Sequence, residues 1–486
     1  MHKLAQLDRA HVWHPFTQMR DWLRREPIVI VAGKGAVLRD LRGREYLDGN
    51  SSIWTNLHGH DHPGINAAIR QQLGKIAHSS ALGLANEPAS RLAERLVRVA
   101  NPPRLFNRKS QIANRKLSKV FFSDDGSTAV EVALKLAYEF ARRSGRSKSP
   151  KFLSLSGAYH GDTVGAVSLG HIGLFHKSYA GLLFKSDTVM SPCCYRCPFN
   201  RAKPERADAR EYRKCHWECV GKVERRFAAR KKRGNPYAAM VVEPLIQGAA
   251  GMIPQPSGWL RRVSEVVRGN GAQLIADEVM TGFGRTGAPS SVRHQPPASL
   301  FGCHHEGVQP DFLCLAKGLT GGYLPMAATL TTEEVFDAFL GEYGEFKTFF
   351  HGHSYTANQL GAAAGLASLE ILQTGDSIRA RAKLEEILRQ ELESLWPLPT
   401  VGDVRQVGLI VGVELVRDWP TRERFDPRER AGTRVCEAMA RRGVLTRPVG
   451  DVVVLMPPYC TTPAQARKMV RALVESVNEV FGKSRL

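Results

Sequence analysis

Cysteine is scarce in this chain. Nine cysteines in 486 residues are too few for the cross-linked framework of a small secreted protein. Long apolar runs are also missing, and no uninterrupted stretch approaches the roughly 20 residues a membrane span needs. The early sequence holds Asp8, Arg9, Asp21, Arg24, Arg25 and Glu26, with no apolar core of a secretory signal. There is no internal repeat and no low-complexity tract. These absences leave a cytoplasmic enzyme or binding protein as the expectation, with no membrane partner. Acidic charge is short too: 68 Lys and Arg face 47 Asp and Glu, a net charge of +21. The excess is local. Residues 104–119 carry six Lys/Arg and no acid, residues 141–151 carry five and no acid, and residues 196–233 carry fourteen against five acids. Basicity confined to polar stretches between core elements reads as solvated surface. No nucleic-acid-binding motif accompanies it, so no nucleic-acid partner is expected.

What is present is an ordinary globular composition, 43% hydrophobic and 24% charged, long enough to bury a large core without cross-links. Residues 1–53 read as an N-terminal segment joining a small domain, with strands around 28–31, 36–40 and 44–47. A helical pattern starts at His62-Pro63, where Ile65, Ile69 and Leu73 recur at helical spacing. Residues 54–345 read as a large domain, interrupted by the basic insertions near 104–119 and 193–233. In it the buried strands 119–123, 152–155, 238–242 and 273–276 alternate with helices such as 127–143. That alternation predicts an α/β fold with a mainly parallel sheet. Residues 346–486 read as a smaller α+β domain, with long helical segments flanking strands at 407–415 and 452–456.

Three features fall just past strand ends, where an open α/β sheet places a ligand. Asp124-Asp125-Gly126-Ser127-Thr128 joins a strand to a helix. Gly126 permits close backbone approach, Ser127 can cap the helix, and the free N–H groups suit an anion such as phosphate. Asp277-Glu278 ends an apolar strand and needs a partner, either a protonated heterocyclic nitrogen or a structural cation such as Arg285. A glycine-rich loop, Thr281–Gly287, follows. Lys317 is the only lysine between Lys232 and Lys347. Set among small and apolar residues at a strand end, it suits a reactive amine with a lowered pKa. A phosphate site, an acid for a ring nitrogen and a carbonyl-reactive lysine together describe pyridoxal 5′-phosphate, PLP.

The stretch LIADEVMTGFGRTG at 274–287, followed by PDFLCLAKGLTGG at 310–322, resembles the signature of class III PLP aminotransferases. Gly157-Ala158-Tyr159-His160-Gly161 is similar to the family's segment whose aromatic covers one face of the cofactor. The resemblance implies PLP transferase fold type I, a homodimer, and catalytic roles for Lys317, Asp277 and Tyr159. It also implies cofactor contacts from Gly126, Ser127, His160, His353 and Ser354, the last two within the phosphate-closing motif that begins at Gly352. His353 departs from the usual Pro of that motif. Trp13–Met19, His58-Gly59-His60, Phe350–Ser354 and Leu445–Pro448 resemble the biotin-pathway branch of the family. That branch moves an amino group onto the ketone of 8-amino-7-oxononanoate, and the likeness assigns the acceptor's carboxylate to Arg447. The alternative is another class III ω-amino acid or diamine aminotransferase. Phe16 and Ile53 stand where branch members that use S-adenosylmethionine usually have Tyr and Trp, and Trp54 is kept. The donor is therefore S-adenosylmethionine, the family default, or lysine. Loss of an aromatic face weakens the hold on a sulfonium cation.

Five cysteines, Cys193, Cys194, Cys197, Cys215 and Cys219, lie close together. Cys194, Cys197, Cys215 and Cys219 approximate a zinc-knuckle pair whose second spacing is one residue too long. The other reading is a set of buried thiols under a basic loop, and no metal is assigned.

Overall fold

The computed structural model describes residues 2–103, 115–287 and 299–482. Residues 104–114 of the first basic stretch lie outside the described residues. Three N-terminal strands, β1 (Ile30–Lys34), β2 (Val37–Asp40) and β3 (Glu45–Asp48), form an antiparallel ribbon. The next strands are β4 (Leu117–Ser123), β5 (Lys151–Leu155), β6 (Asp187–Val189) and β7 (Tyr237–Val242). A short pair, β8 (Ile246–Gln247) and β9 (Ile253–Pro254), precedes β10 (Gln273–Asp277), β11 (Phe312–Leu315) and β12 (Ala327–Thr332). Seven of these make one sheet in the order β4-β12-β11-β10-β7-β5-β6. Only β12 runs against the rest. β7, β10 and β11 are buried along their whole length, as expected of strands covered on both faces. The helix Gly126–Arg143 covers one face with Val130, Ala133, Leu134 and Ala137 buried.

The remaining strands are β13 (Val401–Val407), β14 (Ile410–Leu415), β15 (Val444–Leu445), β16 (Pro448–Val449) and β17 (Val452–Leu455). β13-β14-β17-β16 form an antiparallel sheet, and β15 pairs with β3, so the C-terminal part completes the N-terminal ribbon. The sequence reads 407–415 as one strand. The structure breaks it into a hairpin, with Val407 opposite Ile410 and Gly408 at φ +60°. A left-handed glycine reverses the chain where apolar content alone suggested continuity.

The basic insertion also differs from a solvated loop. Arg206 donates to the carbonyl of Val401 at 2.6 Å, Arg210 donates to that of Gln406 at 2.9 Å, and Arg196 pairs with Glu414 at 2.5 Å. These arginines fasten the insertion to β13 and β14. Charge-assisted bonds to strand carbonyls leave no periodic sequence signal.

The β13–β14 turn packs on the glycine-rich loop. A Cβ on Gly408 would lie 2.2 Å from the backbone nitrogen of Gly287. Gly408→Ala is therefore expected to lower stability by about 1–3 kcal/mol, from the left-handed backbone and the forced separation of loop and hairpin. Urea unfolding reads this directly, and an unchanged midpoint would refute it.

Candidate active site

The carboxyl ends of β4, β5, β7, β10 and β11 open on one edge of the large sheet. After β4, the cap is not Ser127 but Asp125, whose Oδ1 accepts from the Thr128 N–H at 2.9 Å, with the Thr128 hydroxyl closing a capping box. Asp is as good a cap as Ser, and the change frees Ser127. The Ser127 Oγ accepts from the Asp162 N–H at 3.1 Å. Two glycines keep this corner open. A Cβ on Gly126 would meet Val279 at 2.6 Å, and one on Gly161 would fall 2.0 Å from the Ser127 hydroxyl. The result is a backbone cradle at the N-terminus of a long helix, the standard geometry for an anion.

Asp277 closes β10. Its Oδ2 accepts from His160 Nδ1 at 2.7 Å and its Oδ1 from the Val279 N–H at 3.1 Å. Burial opposes charge on His160, but the Asp277 carboxylate outweighs it and raises the imidazole pKa. Glu278 takes a different route from its neighbour. It accepts from the N–H groups of Gly302 and Cys303 and from the Thr281 hydroxyl. Arg285 serves neither acid. It donates to the carbonyls of Pro457 at 2.8 Å and Asn56 at 3.0 Å.

Lys317 follows β11 with φ +44°, a strained conformation for a side-chain-bearing residue. Its Nζ lies 4.7 Å from the centre of the Trp54 ring and forms no hydrogen bond among the described residues. Burial pulls the amine down to about 8, although Asp277 and Glu243 hold it up. Tyr159 lies within electrostatic reach of Asp277. Its hydroxyl donates to Asp162 at 2.6 Å, and burial followed by that bond raises its pKa. The Tyr159 ring meets Phe16 and Phe175 edge-on at 6.5 and 6.3 Å. Arg447 donates to the carbonyl of Phe16 at 2.9 Å and is otherwise exposed.

The wall holding Ile53 and Trp54 is unusual. Ser51, Ser52, Ile53 and Trp54 have φ of 52°, 50°, 64° and 66°, a left-handed turn without glycine. Hydrogen bonds pin it: Ser51 Oγ to the Met456 carbonyl, Ser52 N–H and Oγ to Asp48, and Ile53 N–H to Asn50. Residues 350–354 reach the same edge. His353 Nδ1 is 2.8 Å from Asp124 Oδ2, while Gly352 and Ser354 are exposed.

Two residues of this region escaped the sequence reading. Glu243 ends the apolar strand β7 as Asp277 ends β10, so the same signal was available. Phe175 lies in the short turn Gly173–His176, too brief for any periodicity. The cysteines stand apart. Cys194 and Cys219 are buried, Cys193, Cys197 and Cys215 half-buried, and all are free thiols. Burial pushes Cys194 up to about 12 and Cys219 up to about 11. Among the described residues, no group of three or more His, Cys, Asp or Glu is arranged to hold a metal ion.

Residues 19–477 match the family described as Aminotransferase class-III. The chain is 48% identical over 473 residues to the adenosylmethionine-8-amino-7-oxononanoate aminotransferase of Nitratidesulfovibrio vulgaris, covering 97% of this chain and 81% of that protein. It is 45% identical over 479 residues to the protein of the same name from Geobacter sulfurreducens, covering 99% and 98%. The crystal structure of the Methanocaldococcus jannaschii protein of that name superposes with a TM-score of 0.85 at 39% identity, over 98% of each chain. An amine transaminase from an uncultivated Pseudomonas species, in its PLP-bound form, superposes with a TM-score of 0.83 at 33% identity, over 96% and 98%.

The lowered Lys317 pKa gives a direct test. In chain freed of small molecules, acylation of Lys317, followed by peptide mass spectrometry, is expected to rise with a midpoint near pH 8. Surface lysines are expected to rise about two units higher. A Lys317 midpoint as high as theirs would refute the geometry.

Proposed function

The chain belongs to the class III aminotransferases, and from that premise we propose that it converts 8-amino-7-oxononanoate to 7,8-diaminononanoate, an amino transfer of biotin biosynthesis. The amino donor is S-adenosylmethionine, as in the names of its relatives, or lysine. The observation that carries this reading is the convergence of Lys317, the Asp277–His160 pair and an open helix N-terminus on one sheet edge.

Class III aminotransferases use PLP, and the residues here fit it. The Gly126, Ser127 and Gly161 cradle takes the phosphate, since a Cβ at either glycine would fill it. Asp277 would pair with the ring nitrogen, and Tyr159 would pack against the ring. The unpartnered Lys317 amine would be the covalent attachment point. When bound, PLP supplies a protonated pyridine that accepts the electron pair released at the substrate carbon. Asp277, held by His160 and the Val279 N–H, keeps a negative charge against that nitrogen. Lys317 Nζ, held near neutral pH by burial, takes the proton from the donor's α-carbon and returns it to the product. Arg447 pairs with the acceptor's carboxylate through its planar fork. Phe16, Phe175, Tyr159 and Trp54 wall the substrate channel and exclude water.

A second copy of the chain is part of this reading: the family resemblance gives His353 and Ser354 to the partner's phosphate, whereas within this chain His353 is bonded to Asp124. Trp13, Leu82, Phe350 and Tyr355 are exposed apolar side chains that a partner would cover. The protein works in the cytoplasm in this reading. The cysteine cluster takes no part in it. A metal there would have to displace protons that burial holds on Cys194 and Cys219. Metal analysis of freshly purified protein is expected to find well under one zinc per chain, and a full equivalent would establish a structural site.

The deciding experiment is a single-turnover assay with each donor, followed by addition of 8-amino-7-oxononanoate and mass detection of the diamine. Phe16 keeps a ring and Ile53 loses one, at a cost of about 0.5–2 kcal/mol for a bound sulfonium. Lysine is therefore expected to load the enzyme at least as efficiently as S-adenosylmethionine, and Lys317→Ala to load with neither. Lysine inert beside active S-adenosylmethionine would fix the donor as the latter. No diamine with either donor would overturn the assignment.

A further inference from the structure

Behind the Asp277–His160 pair lies a third ionisable group that the mechanism above does not use. Glu243 follows β7 and is buried. Its Oε2 accepts from the Gly248 N–H at 2.8 Å, while its Oε1 has no partner. The backbone N–H of Tyr159 also faces this carboxyl, which places it against the peptide leading into His160. His160 has the complementary gap. Its Nδ1 is spent on Asp277, and its Nε2 is buried with no partner. Two buried polar atoms without partners are costly unless they satisfy one another or share an enclosed water. One carboxyl oxygen and one imidazole nitrogen need a single proton between them.

We propose that Glu243 is a positioning residue that holds one buried proton between its Oε1 and His160 Nε2 through one enclosed water. Shared in this way, the proton fixes which imidazole nitrogen donates to Asp277, so that Asp277 presents a carboxylate to the sheet edge. When the proton sits on the carboxyl, both groups are neutral. When it sits on the imidazole, they form an ion pair. Through the water, two O–H bonds break while one O–H and one N–H bond form, the water is regenerated, and no other reactant is needed. The surroundings support the arrangement. Burial pushes Glu243 up to about 7, with Asp277 adding to the rise and His160 opposing it. The other ionisable group facing Glu243 is Lys317, and His171 and His176 face His160. The consequence for turnover rests on the transaminase reading above, whereas the proton itself does not.

The test compares the full chain with its Glu243→Gln variant by urea unfolding from about pH 5 to about pH 8, without added PLP. An acid that keeps its proton in the folded state to about pH 7, against an ordinary 4.5, contributes stability at low pH that is lost as pH rises through 7. Wild type is therefore expected to lose ground steadily to Glu243→Gln across this range. A merely structural role would shift all midpoints equally, and a flat difference would overturn the proposal. Repeating the comparison in a His160→Asn background is expected to move the trend to higher pH by about one unit, because the opposing cation is gone. An unmoved trend would refute the sharing. Should Glu243→Gln fail to fold, infrared spectra decide: the His160→Asn variant is expected to keep a protonated-carboxyl band to higher pH than wild type, because the proton then has only Glu243 to hold it, and identical spectra would overturn the proposal. In the PLP-loaded enzyme, Glu243→Gln is expected to shift the pH profile of kcat to lower pH, because Glu243 helps hold up the Lys317 amine, while leaving KM for the acceptor unchanged. An unshifted profile would count against the proposal. An enzyme that transaminates nothing would defeat the reading of function and leave the unfolding result standing.

Discussion

A single buried guanidinium joins the parts of this fold. Arg285 is 1% exposed and forms no ion pair among the described residues, with Asp48 acting on it only at longer range. It donates instead to the carbonyls of Asn56 and Pro457, while its own carbonyl accepts from the Leu409 N–H. Three distant stretches therefore meet at one residue: the segment after the left-handed turn and the end of the antiparallel sheet at its side chain, and the β13–β14 hairpin at its backbone. Its cation lies 5.0 Å from the centre of the Tyr459 ring, and the Tyr459 hydroxyl returns to the Phe283 carbonyl inside the glycine-rich loop. Removing the guanidinium would strand carbonyls in the interior, a cost of about 1–3 kcal/mol for each.

The same cation reaches the chemistry. It is among the groups that lower the Lys317 pKa, after burial itself. Burial, His62, Arg381 and Arg285 push His58 down to about 3, so this imidazole stays neutral and can bond the Ser368 hydroxyl at 2.9 Å. The acids Asp277 and Glu243 act on the lysine in the opposite sense. Its protonation reflects the balance of the two.

Much of this was legible in the residues. Asp277 and Lys317 announced themselves because an ionisable side chain ending a buried run is costly without a purpose. The parallel sheet was legible because its strands are short apolar runs separated by amphipathic helices. What escaped was written in tertiary contact or in backbone geometry. The cap passed to Asp125 because two residues on either side of Gly126 were equally suited and only the chain's path selects between them. The hairpin at Gly408 was hidden inside apolar residues that serve a continuous strand equally well. The arginines of the basic insertion bind main-chain carbonyls of β13, and a carbonyl carries no residue identity. Their positive charge thus read as solvent-facing when part of it is a fastening.

The left-handed turn Ser51–Trp54 shapes how this protein can change. Each residue with a side chain in that conformation costs about 1–2 kcal/mol, and the branched Ile53 suits it least. Random variation screened for heat resistance would find this place early, since glycine or asparagine would relax it. Each such gain would reshape the wall beside Trp54 and Lys317. On the proposed function, hardiness and substrate choice would therefore draw on the same four positions. An engineer seeking a tougher catalyst would do better to leave this turn untouched and work on the far side of the sheet.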